Sequence, residues 1–93
     1  MTARLLPWAG SDGKPGYLST DGRGYVARVA DRMEAVQLGM AAQVVACSRP
    51  LIAAPAVTVA ELRFTAVRLS ECLVDVMRVA ESRGGRLGVR PPR

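Results

Sequence analysis

The hydrophobic pattern of the chain changes its period near residue 28. Before that point Pro7, Gly10, Gly13, Pro15, Gly16, Gly22 and Gly24 interrupt short apolar runs at Leu5-Leu6, Tyr17-Leu18 and Tyr25-Val26. A long helix does not survive that density of breakers. Residues 16–20 and 23–27 flank Asp21-Gly22, and an Asp-Gly step between two short runs predicts a β-hairpin turning there.

From Val29 the period becomes helical. Val29, Met33, Val36, Met40 and Val44 fall at i, i+4, i+7, i+11 and i+15, one stripe of a first helix, with Leu38 and Val45 beside it. Arg28, Asp31, Arg32 and Glu34 line its other side. Asp31 and Glu34 also have the spacing of an N-cap and its third residue, although the stripe already begins at Val29. Pro50 should break or kink this helix, one more turn can follow over 51–54, and Pro55 ends it.

Thr58-Val-Ala-Glu61 has the form of a capping box and opens a second helix, expected to run to about Arg83 and to stop at Gly84-Gly85. Leu62, Ala66, Leu69, Leu73, Val76 and Ala80 repeat in steps of four and three, the spacing of a helix-packing seam. Phe64, Val67, Val74 and Met77 widen its apolar surface. Arg68/Glu71, Asp75/Arg78 and Arg78/Glu81 are i, i+3 pairs on the polar side.

Two long helices with a short connection fold back antiparallel. The expected fold is mainly α: a two-helix hairpin over 28–84, an N-terminal β-hairpin or irregular cap over 1–27, and a basic tail over 85–93 expected to be disordered. A lone hairpin leaves much apolar surface bare. Trp8, Tyr17 and Tyr25 can cover part of it and are also the candidates for binding a partner. A second copy can cover the rest as a homodimeric four-helix bundle. Its expected core and dimer seam is Met33, Val36, Met40, Leu62, Leu69, Leu73 and Val76.

Composition narrows the chemistry. The 93 residues contain no histidine, which removes histidine acid–base catalysis, the Ser-His-Asp triad and Cys-His zinc sites. The two cysteines, Cys47 and Cys72, are too few for a four-thiolate site. In an antiparallel hairpin they lie roughly 20 Å apart along the axis, too far for a disulfide. Residues 10–16 hold the glycines and lysine of a phosphate cradle, but Pro15 stands where a P-loop needs Ser or Thr, so a surface turn is expected. No acid cluster points to calcium or another metal. No catalytic residue, cofactor or metal is expected. No signal pattern opens the chain, and no uninterrupted apolar run approaches the 18 or so residues of a bilayer span. A cytoplasmic protein without a membrane role follows.

The net charge is +5. It is concentrated at the C-terminus, where Arg83, Arg86, Arg90 and Arg93 stand without an acid. Those four are the candidate phosphate contacts of a nucleic-acid-associated protein, the alternative to a protein-binding role.

Arg4-Leu-Leu-Pro-Trp8, Gly13-Lys-Pro15, Glu34-Ala-Val-Gln-Leu-Gly-Met40, Glu61-Leu-Arg-Phe64 and Arg78-Val-Ala-Glu-Ser-Arg83 resemble a group of short actinobacterial proteins, mainly from streptomycetes. The resemblance covers about residues 4–87. It carries no assigned activity. Such proteins tend to be encoded near helix-turn-helix regulators, so the resemblance implies a regulatory or adaptor role with a protein partner such as a transcriptional regulator. Pro50 and the basic tail depart from the group's pattern. The expectation is a non-enzymatic protein–protein interaction module.

Overall fold

The computed structural model describes residues 2–10, 12–20 and 22–87. Strands β1 (Thr2–Ala9) and β2 (Pro15–Thr20) precede helices α1 (Tyr25–Ala53) and α2 (Val59–Arg86). The strands pair antiparallel as a two-stranded sheet, with Ala3 opposite Ser19 and Leu5 opposite Tyr17. The mainly α hairpin with a small N-terminal sheet is thus the fold. The β-hairpin pairs other segments than expected, β1 with β2, so that its turn falls between Gly10 and Lys14; Asp21 of the expected turn lies outside the described residues. Gly13 takes a φ of 78°, which glycine adopts without strain. The Gly10 amide donates to Lys14 O at 2.7 Å and the Lys14 amide to Asp12 Oδ1 at 3.0 Å. Residues 25–27, expected as a strand, instead open α1. In the helix Ala27 is buried and its carbonyl accepts from Arg4 at 3.0 Å, which outweighs a local β preference.

Helix α1 starts without a side-chain cap at Gly24. It runs through Pro50 to Ala53, with the further turn expected after the proline, and stops before Pro55. Helix α2 starts on the expected capping box. Thr58 Oγ1 accepts from the Glu61 amide at 3.1 Å, and Glu61 Oε1 accepts from the Thr58 amide at 3.0 Å. Hydrogen bonding of the carboxylate by Thr58, through its backbone amide first and its side chain second, holds the Glu61 carboxyl below its ordinary range. The helix continues through Gly84-Gly85 to Arg86. The glycines do not stop it because Arg86 is anchored in tertiary contact: its Nη1 donates to Ser82 Oγ at 2.7 Å and its Nη2 to Glu34 Oε1 at 3.3 Å.

The helices meet along two heptad rows. On α1 the row is Ala27, Ala30, Glu34, Gln37, Ala41, Val44, Ser48 and Leu51, all buried or half-buried. On α2 it is Thr65, Arg68, Cys72, Asp75, Val79 and Ser82, again buried or half-buried. The seam is small and polar rather than the large apolar stripe that periodicity marks. Cys72 lies in it, while Cys47 is exposed, and both thiols are free.

Strand β1 is wedged against this pair, mainly against α2. Arg4, Leu5, Leu6 and Pro7 are all buried. Successive strand residues point to opposite faces, so four in a row means cover on more than one side. The backbone of β1 is held by helix side chains. Ser82 Oγ donates to Leu5 O at 2.9 Å, Gln37 Nε2 to Pro7 O at 2.9 Å, and Arg78 Nη1 to the same oxygen at 3.4 Å. Arg78 is thereby turned toward the strand.

A charged cluster lies at the junction of β1, α1 and α2. The Arg4 guanidinium, 3% exposed, donates to Ala27 O at 3.0 Å and approaches Asp31 Oδ1 at 2.7 Å and Glu34 Oε2 at 3.3 Å. Glu34, 1% exposed, also receives Arg86 at 3.3 Å and Arg83 Nε at 3.8 Å. Asp31 and Glu34 therefore bind an arginine of another element instead of capping their own helix.

Two expectations follow. Glu34→Ala leaves Arg4 buried beside a single, exposed carboxylate and should cost about 3–5 kcal/mol, read as a lower denaturant midpoint. Replacing both partners, Arg4→Met with Glu34→Leu, should recover much of the loss. Thr58→Ala removes the cap acceptor and should cost about 1 kcal/mol. Because the Glu61 carboxyl is lowered in the folded chain, its contribution is full above the ordinary glutamate range. It is lost as pH falls through the lowered value, so the stability gap between wild type and Glu61→Gln should narrow in acid.

Candidate functional site

The helix pair presents two distinct surfaces, one on each side of the seam. Among the described residues no three His, Cys, Asp or Glu side chains gather as metal ligands. The surfaces follow from the seam. In an antiparallel pair, the positions one residue before Glu34, Ala41 and Ser48 lie on the same side as those one before Thr65, Cys72 and Val79. The positions four residues after lie on the other side.

The first side carries the β-hairpin. Arg78, one residue before Val79, reaches Pro7 O here. Farther toward the helix connection the same side opens into a cleft of about 330 Å3, lined by Gln43, Val44, Cys47, Ser48, Leu51, Phe64, Thr65 and Arg68. The cleft is mostly apolar. Its cation, Arg68, pairs with Glu71 at 3.1 Å as the i, i+3 spacing predicts. Met33, Val36 and Met40 belong to this side and are all exposed.

The second side lies across the seam from that cleft. On α1 it presents Ala35, Leu38, Ala42, Val45, Arg49 and Ile52, in steps of three and four. On α2 it presents Leu62, Ala66, Leu69, Leu73, Val76 and Ala80 in steps of four and three. Leu73 is 60% exposed, Ile52 53% and Val45 45%. Within these rows Arg49 is the one charge, and it stands at the helix-connection end. Asp31 and Arg83 mark the other end. The candidate seam residues are therefore divided: Met33, Val36 and Met40 lie on the hairpin side, whereas Leu62, Leu69, Leu73 and Val76 lie on the bare side. They do not meet within one chain.

The aromatic candidates separate as well. Trp8 is half-buried on β1, and Tyr17 and Tyr25 stand exposed on β2 and at the start of α1. Of the candidate phosphate contacts, Arg83 and Arg86 turn toward Glu34. Arg90 and Arg93 lie outside the described residues.

The sequence pattern places Glu34 and Asp31 on the side of the first helix away from its apolar stripe and misses their partner, Arg4, which lies far away in the chain. One signal was available: an arginine inside an apolar strand run, Arg4-Leu5-Leu6, has to find an acid if the run is buried. Helix α1 is also long and apolar enough, by length and composition alone, to cross a bilayer. Counting uninterrupted apolar residues missed this, since Gln43 and Arg49 interrupt the run without much lowering its average.

No family model matches the chain, and no curated protein and no solved structure matches it either.

Proposed function

We propose that the chain is a non-enzymatic protein–protein interaction module of the cytoplasm, in a regulatory or adaptor role. The observation that carries this reading is the surface inventory. Among the described residues sixteen large apolar side chains are more than a third exposed, against six buried apolar residues, two of them alanine. Apolar exposure on that scale marks a surface that another molecule covers. The resemblance to actinobacterial proteins encoded beside helix-turn-helix regulators supports a regulator as that molecule. The inward turn of Arg83 and Arg86 weakens the nucleic-acid alternative, because both cations already serve a buried carboxylate. Helix α1, despite its composition, holds buried Glu34 within a charged cluster shared with β1 and α2, which supports protein rather than lipid as its neighbour.

Capture from lysate of the native host with three tagged baits tests the proposal: wild type, Phe64→Glu on the cleft side and Leu73→Glu on the bare side. A protein retained by wild type, the chain's own untagged copy included, and lost from one charged bait is the expected result. Retention of nothing, or of the same proteins by all three baits, would overturn the reading.

A further inference from the structure

We infer that the bare side of the hairpin is the docking face for a second copy of this chain, which completes a four-helix bundle. The inference rests on the interaction-module reading and names its first partner. Its starting point is that each helix carries two adjacent heptad rows. One row is consumed by the α1–α2 seam. The other, which includes Leu38 and Val45 on α1 and Leu69 and Leu73 on α2, is open on both helices and on the same side. A helix in a four-helix bundle contacts two neighbours and needs two such rows, whereas a helix in a lone hairpin needs one.

Among the described residues β1 docks on the seam and the first side through Gln37 and Arg78 and reaches the bare side at its end, where Arg4 binds Asp31; the rows from Ala35 to Ile52 and from Leu62 to Ala80 stay exposed or half-exposed. The area of this face fits a copy of itself. Residues 35–52 of α1 run about 26 Å at 1.5 Å per residue, and two packed helices make a strip about 20 Å wide. The footprint is on the order of 500 Å2 per copy and about 1,000 Å2 in total, the size at which specific interfaces begin. The face is also self-complementary. Ala35, Ala42, Ala66 and Ala80 leave depressions between the larger side chains, so leucines and valines of one copy can seat against alanines of the other. Across a two-fold axis one patch meets itself, so no other surface has to match it. Charges confined to the ends leave the middle free of desolvation cost.

Light scattering across a concentration series reads the mass of the purified chain. Wild type should hold twice 9.9 kDa. Leu73→Glu should self-associate about tenfold or more weakly and fall toward 9.9 kDa over the same range. Val36→Glu, on the hairpin side, should keep the wild-type mass. Circular dichroism checks that each variant is helical, and Ala66→Glu, two turns from Leu73 on the same face, replaces Leu73→Glu if that variant fails to fold. A helical wild type at 9.9 kDa throughout would overturn the inference while leaving open a different protein as occupant. A dimer that resists Leu73→Glu or Ala66→Glu but yields to Val36→Glu would overturn the face.

Discussion

The buried pairing of Arg4 with Glu34 is the constraint from which the rest of the structure follows. The two side chains come from different elements, and Arg83 and Arg86 of α2 close on the same carboxylate. A buried guanidinium or carboxylate without its partner costs several kcal/mol, so any slip of β1 along the helices, or of one helix along the other, is opposed at this point. Register is what the cluster fixes. Once Arg4 is placed, Leu5 O and Pro7 O fall where Ser82, Gln37 and Arg78 can donate to them. The exposed edge of a two-stranded sheet is thereby tied to the hairpin by side chains rather than by a third strand.

That choice has a consequence for the core. The row of α1 that contains Glu34 is the row that meets α2, and it brings Ala27, Ala30, Gln37 and Ser48 with it rather than Met33 or Val36. On α2 the matching row brings Thr65, Cys72 and Ser82. Most of the large apolar side chains are displaced to the flanks of the seam. A chain of this length already buries only about 60–65% of the surface of its unfolded form. With a seam this polar, a partner that bound only the folded state would add to its stability by mass action.

The same choice explains what was legible in the sequence. The two helices, their antiparallel connection and the Thr58–Glu61 capping box are local features, set by period, proline and hydrogen-bonding side chains within a few residues. They could be read directly. The face each helix turns to its neighbour is not local. Periodicity located the apolar stripes correctly as stripes, but it could not say that Glu34 would outrank them, because Arg4 lies 30 residues away. The same long-range bond carries α2 through Gly84-Gly85, where local propensity places an end. The β-hairpin was misplaced for a related reason. The strand run 4–8 holds an arginine and a proline, which read as poor strand formers until the helices that satisfy them are present.

Magnitudes show why the apolar stripes and the charged cluster have to be satisfied by different partners. Turning α2 by one residue step, about 100°, would bring Leu62, Leu69, Leu73 and Val76 against α1. Full burial of such side chains is worth about 1.5–3 kcal/mol each, and since they are already partly covered the gain would be about half of that. The turn would also withdraw Ser82 from Leu5 O and Arg86 from Glu34, at a cost of about 3–5 kcal/mol for the broken cluster. The two amounts are similar, so in an isolated chain the two packings compete. Covering the bare side from outside removes the competition. The stripe is then buried without moving Glu34, and the cluster keeps its register. The polar seam inside and the apolar rows outside are thus two halves of one solution, each workable because the other is present.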